Sequence, residues 1–100
     1  MIVFDRPRPV VFHHFRRTAH LISTLETPWS TEEILEFGAR IDLRPEWLQY
    51  RGHWKEHFDL FDEGILRARD AGALEVARRR MAEMNLRRQR YLRADREVAA

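Results

Sequence analysis

The sequence predicts a small single α/β domain: a short parallel or mixed sheet, helices packed on it, and a long helix at the C-terminal end. Three observations lead there. The apolar segments at residues 1–4 and 74–76 have the length of buried strands. An amphipathic helix with a start signal lies between them. Strand-like and helix-like segments then alternate along the chain, the order from which layered α/β folds are built. A chain of 100 residues can bury one modest core. Residues 1–76 are therefore read as the α/β core, and 77–100 as an Arg-rich helix and tail of the same domain.

Residues 1–4 form the first expected strand, closing on Asp5. Arg6-Pro7-Arg8-Pro9 should not continue it, because proline lacks the ladder donor and restricts the residue before it. Val10-Val11-Phe12 and His20-Leu21-Ile22-Ser23 are two further short extended pieces. Ser30 and Glu33 then fit a capping box, and Trp29 with Ile34 fits a hydrophobic staple. From there Ile34, Leu35, Phe37, Gly38 and Ile41 share one helix face, with Glu32, Glu36 and Arg40 opposite and Pro45 as the stop. Residues 44–59 have no clean period and hold Trp47, Tyr50, Trp54 and Phe58. Asp62 is placed to cap a short helix that ends at Gly72, a natural C′ residue. A brief strand at 74–76 leads into a helix over about 77–93. Its apolar face is Ala77, Met81, Met84, Tyr91 and Leu92, interrupted by Arg88.

Composition narrows the class. Hydrophobic residues are 44% and charged residues 34%, too apolar for a disordered chain and too charged for a membrane protein. An acid and a Pro-rich stretch follow the first four residues before a signal-peptide core could form. With no cysteine, disulfides and thiolate metal sites are excluded. A cytoplasmic protein with no membrane partner is expected. The net charge of +2 is unevenly spread: residues 30–76 carry six bases and eleven acids, whereas 77–96 carry eight Arg against Glu83 and Asp95. Such an acidic middle and basic end suit internal pairing or an anionic partner for the tail. Seventeen of the eighteen bases are Arg, a bias that a GC-rich genome produces without functional meaning.

The order of motifs resembles the domain-of-unknown-function family 4031, small bacterial and phage proteins. The resemblance runs from about Ile2 to Val76. It rests on the strand closing on Asp5 before a Pro-rich loop, on His20-Leu21-Ile22-Ser23, and on the helix Glu33 to Ile41. It continues through the aromatic-Gln pair near Trp47 and Gln49, His57-Phe58-Asp59, and Ala71-Gly72-Ala73-Leu74-Glu75-Val76. The chain departs where Phe58 replaces a usual Tyr and Asp42 a usual Gly. It departs also where His13-His14-Phe15-Arg16 replaces a Gly-containing turn, and in its Arg-rich ending. The resemblance implies the fold and a set of candidate residues, and no activity.

Four patterns bear on chemistry. His53-Trp54-Lys55-Glu56-His57 matches H-x-x-E-H, in which two His one helical turn apart bind zinc and Glu acts as base. That chemistry requires a helix here and a third ligand well downstream; Gly52 precedes the motif and 43 residues follow it. A second constellation is Asp5, Arg16, Arg17, His20, His57 and Asp59. Groups at strand carboxyl ends converge on the ligand crevice of α/β sheets, and two carboxylates with two imidazoles suit a divalent metal or an acid–base pair. Backbone capping and hydrogen bonding would equally account for these residues. Third, Trp47, Tyr50, Trp54 and Phe58, interleaved with Arg44, Arg51 and Lys55, suit stacking on a base beside phosphates, or simple core packing. Fourth, Arg79, Arg90 and Arg93 share the back of the last helix and are the candidate nucleic-acid contacts, while Met81, Met84 and Tyr91 could seat the helix on the domain or on a second copy in a homodimer. No phosphate loop, dinucleotide fingerprint or nucleophile elbow is present.

The leading expectation is a binding module without catalysis that takes a nucleotide or other phosphorylated small molecule. Its Arg/His/aromatic pocket comprises Asp5, Arg16, Arg17, His20, Trp54, His57 and Asp59. The alternative is a metal-dependent hydrolase using Asp5, His20, His57 and Asp59 around a divalent metal. A third reading is nucleic-acid binding through the basic C-terminal helix.

Overall fold

The computed structural model describes every residue except 12, 25–29 and 100, with side chains left out at 13–15 and 95–99. Among the described residues, five strands and three helices follow in the order β1 (Ile2–Asp5), β2 (Arg8–Val10), β3 (His13–Ser23), α1 (Thr31–Arg40), β4 (Phe58–Phe61), α2 (Glu63–Asp70), β5 (Leu74–Val76) and α3 (Arg78–Ala99). A single 3₁₀ turn at Pro45–Trp47 lies between α1 and β4. The sheet is mixed, as expected: β5 runs parallel to β1, and every other pairing is antiparallel.

Strand β3 is the spine. Leu21 pairs with both Phe4 of β1 and Phe58 of β4, so those strands lie on opposite edges of β3. Thr18 pairs with both Arg8 of β2 and Phe61 of β4, so β2 shares the β1 edge. The chain from Ile2 to Val10 thus runs along one side of β3, broken at Arg6-Pro7. The sequence reading excluded residues 8 and 9 from strand. Proline is tolerated there because β2 pairs on one side only and Pro9 is exposed, with a register shift just after it. Strand β3 is far longer than the four residues expected, and β4 was not foreseen at all.

Side chains alternate between two faces, and each face has its own core. Ile2, Phe4, Ala19, Leu21, Phe58 and Leu60 meet Ile34 and Phe37 of α1, Ile41 at its C-cap, and Ile65 and Ala68 of α2. On the other face Val3 and Ile22 meet Met81 and Met84 of α3. Those two methionines are therefore consumed inside the domain. The expected helix face needs correction as well: Ala77 precedes α3 and is exposed, Tyr91 is 44% exposed, and Arg88 is buried at 1%. Arg88 lies on the seated side of the helix.

The start of α1 is as expected, with Ser30 Oγ accepting from the Glu32 amide at 3.1 Å. Glu33 does not complete a capping box, because its carboxylate meets the Met1 ammonium at 2.7 Å. Trp29 lies outside the described residues. At α2, Asp62 holds the cap position but makes no capping bond. Its carboxylate instead accepts from the Arg17 amide and the Arg16 Nε, both at 2.9 Å. Gly72, at φ +105, ends α2 in the left-handed region, as a C′ glycine should.

Gly38 lets α1 approach the sheet. A Cβ there would lie 2.8 Å from Phe58 Cε2, a buried ring that cannot swing aside. Gly38→Ala should therefore destabilise the fold by about 1–2 kcal/mol, since overpacking outweighs the roughly 1 kcal/mol gain in helix propensity. A urea midpoint that falls would bear this out; one that rises would show the interface to be loose.

Candidate functional site

The register of β3 assembles the site. Directly opposed residues of antiparallel strands share a face. His20 pairs with Asp59 of β4, and one step beyond the Phe4–Leu21 pair, Asp5 lies across from His20. Asp5, His20 and Asp59 thus form one row across three strands. His57, two residues before Asp59, falls on the same face. Helix α3 covers the Val3–Ile22 end of that face with its methionines and leaves the His20 ring partly exposed.

The hydrogen bonds fix how each group points. His20 donates its backbone N–H to Asp5 Oδ1 at 2.7 Å, and its ring Nδ1 lies 3.1 Å from Asp5 Oδ2. Burial disfavours the charged form of Asp5, but the bonds from the His20 ring and amide, with the charges of His20 and Arg8, outweigh it. The Asp5 carboxyl is thereby held below the ordinary 3.8. An ionised carboxylate only accepts, so the contact with Asp5 is a hydrogen bond in the tautomer that carries its hydrogen on Nδ1. His57 Nδ1 is 2.6 Å from the Lys55 carbonyl, again an obligate acceptor. Both rings are thus anchored through Nδ1 and present Nε2 inward.

Their common target is Asp59. Its Oδ1 is 3.3 Å from His57 Nε2 and 3.9 Å from His20 Nε2. Its Oδ2 accepts from Gln49 Nε2 at 2.5 Å. The rings meet edge to face with centroids 4.9 Å apart. With both rings neutral and hydrogen on Nδ1, the two Nε2 lone pairs and Asp59 Oδ1 make a set of donors that could hold a cation. One donor atom each from His20, His57 and Asp59 lie within 4.8 Å of one another. Tetrahedral ligands about 2.0 Å from zinc sit roughly 3.3 Å apart; the His57–Asp59 contact already has that spacing, and His20 would have to move inward.

The loop that carries His57 is anchored from below. Gln49 and His57 exchange backbone hydrogen bonds at 2.9 and 3.2 Å, and the chain between them turns through Tyr50 and Gly52, both at positive φ. Glu56 is fully buried, and its Oε2 accepts from Thr31 Oγ1 at 2.6 Å and from the Gly52 amide at 2.8 Å. Arg88 donates to the Glu56 carbonyl at 3.0 Å and, more weakly, to the His53 carbonyl at 3.4 Å. Burial pulls the Arg88 guanidinium down to about 10, against the opposing pull of Glu56, so it stays charged near neutrality. These contacts settle the H-x-x-E-H motif. Residues 50–55 form turns and bends with no helix, Glu56 is a structural hub, and His53 faces the Lys55 amide.

Of the residues expected from sequence, the structure brings Asp5, His20, His57 and Asp59 together, with Trp54 beside them. Arg16 and Arg17 are elsewhere, tied to Asp62 through the Arg16 side chain and the Arg17 amide. Gln49, Arg8 and Lys55 join the site instead. A nitrogen of Arg8 lies 2.8 and 3.1 Å from the two His20 ring nitrogens, distances that place it against the ring face. Arg79 and Arg90 are exposed on α3, Arg79 near Glu83 at 3.8 Å, and Arg93 borders a small hollow with His53 and Trp54. Period-2 alternation at 57–61 was the missed signal: apolar Phe58 and Leu60 put His57 and Asp59 together on the opposite face.

Two hollows lie near the site, and Asp59 lines the larger of them. The larger, about 890 Å³, follows the outer edge of β4 between Trp47, Phe61 and Arg67, and neither imidazole lines it. The smaller, about 260 Å³, is lined by His20, His57, Tyr50, Trp54, Lys55 and Asn85 with Ile22. The convergence of polar groups, rather than volume, points to the smaller cleft. No protein-family model matches the chain, and neither curated proteins nor solved structures include a significant match to it. Among the described residues no helix is long and apolar enough to cross a membrane.

Asp5→Asn removes the charge that holds the His20 ring. At neutral pH it should cost about 1–3 kcal/mol, the range for a buried charge-assisted bond. Because the native carboxyl sits below 3.8, that advantage is present above 3.8 and lost as pH falls through the lower native value. Paired denaturation curves should converge in strong acid; a gap unchanged down to pH ~2 would contradict the contact.

Proposed function

We propose that this domain holds a divalent first-row metal ion on His20, His57 and Asp59 and acts as a metal-dependent hydrolase. The observation that carries the reading is the set of partners behind the three donors. The Asp5 carboxylate, the Lys55 carbonyl and the Gln49 amide each occupy the far side of one ligand. Such outer contacts fix the tautomer and aim of ligating imidazoles and carboxylates. Two imidazoles and a carboxylate suit zinc and its neighbours. Three protein ligands are the complement of catalytic rather than structural zinc. A metal held there would supply the Lewis acidity for hydrolysis at neutral pH. The Arg/His/aromatic pocket expected from the sequence shares His20, His57 and Trp54 with this cleft, so both readings concern one place.

Adding Zn²⁺ or Mn²⁺ tests the assignment. At a hundredfold excess over Kd a bound ion contributes about 2.7 kcal/mol to the native state, on the order of 10 °C in melting temperature for a chain of this size. His20→Ala and His57→Ala should each abolish the rise. A parent protein whose melting does not respond, or His variants that respond as it does, would rule the metal centre out.

A further inference from the structure

The charges around the cleft name a ligand class. Lys55 Nζ sits 5.2 Å from the Trp54 ring centre and 5.6 Å from that of Tyr50, at the cleft wall. Arg8 lies against His20 on the other flank. Arg8 offsets Asp5, while Glu56 is buried beside Arg88. A divalent ion on Asp59 would then keep one net positive charge, and Lys55, in no ion pair among the described residues, adds a second at the wall of a pocket of about 260 Å³. That volume lies below the roughly 300–1,000 Å³ of pockets that enclose drug-sized ligands. The Lys55 ammonium also lies over both aromatic faces, where a stacked base would have to go.

We propose that the cleft takes the dianionic head of a phosphomonoester, with its oxygens shared between the metal and Lys55 and the rest of the molecule outside. This rests on the metal reading above. In the reaction, water oxygen forms a new P–O bond, the ester P–O bond breaks, and the water's proton ends on the leaving alkoxide. The products are inorganic phosphate and an alcohol.

Phenylphosphonate, which keeps the dianionic head and cannot be hydrolysed, is the probe, titrated calorimetrically into the zinc-loaded full chain. It should bind the zinc form and not the protein stripped with EDTA. Lys55→Ala should weaken it about tenfold or more, as for a lost charge-assisted bond. Zinc affinity should be kept, because Lys55 holds His57 through its main chain, which the substitution retains. A short oligonucleotide with a 5′-phosphate, beside its unphosphorylated twin, identifies the source. Tighter binding of the phosphorylated form than of phenylphosphonate supports a nucleic-acid end, and equal binding supports a small molecule. Zinc binding without phosphonate binding, or equal affinities in parent and Lys55→Ala, overturns this proposal alone. Failure of zinc to bind overturns both.

Discussion

The pairing of β3 on both of its edges is the constraint on which this structure depends. It brings β1 from the start of the chain to Leu21–Ser23 and β4 from its middle to Thr18–Leu21, so the two strands meet across Leu21 and the neighbouring His20. The alternation of that stretch then decides two things at once. Ala19 and Leu21 close the main core with Phe4, Phe58 and Leu60, and His20 turns to the other face between two aspartates. A one-residue slip of β1 or β4 against β3 would turn Asp5 or Asp59 to the core face, away from His20. Core packing and site geometry are thus enforced by the same register.

The second face is incompletely covered, and that is what leaves a site. Met81 and Met84 cover Val3 and Ile22, and beyond them α3 passes over the 53–57 loop through Arg88. Burying Arg88 and Glu56 costs desolvation that their mutual attraction offsets only in part, so the pair is weak evidence of stability in itself. Its effect is positional: Glu56 joins the start of α1 to the turn at Gly52, and Arg88 joins α3 to the carbonyl just before His57. The loop that carries His57 is held by two elements distant in sequence, α1 and α3.

Much of the frame was legible from local pattern. The α1 helix could be read from Ser30 and the spacing of Ile34, Phe37 and Ile41; α2 from its ending at Gly72; β1 from four residues and a closing acid. Asp5, His20, His57 and Asp59 could be named because they flank apolar segments, where α/β sheets gather their ligands. What failed was non-local. Strand β3 carries Arg16, Arg17 and Thr18, a polar run that gains its strand character from partners on both sides. Strand β4 was hidden inside an aromatic stretch. Arg88 was read as a break in a helix face because its acceptors lie 32 and 35 residues away. Arg16 was misplaced for the same reason, since Asp62, which captures it, is 46 residues on.

The central claim is that both imidazoles are anchored through Nδ1 and offer Nε2 to a cation beside Asp59. Long-range ¹H–¹⁵N spectra of the histidine side chains test it most directly, recorded with the rings neutral and then with zinc added. The structure predicts the Nδ1–H tautomer for both His20 and His57, with the Nε2 resonances of both moving when zinc binds. An Nε2–H tautomer in either ring, or a zinc response confined to His53 or the His13–His14 pair, would contradict it.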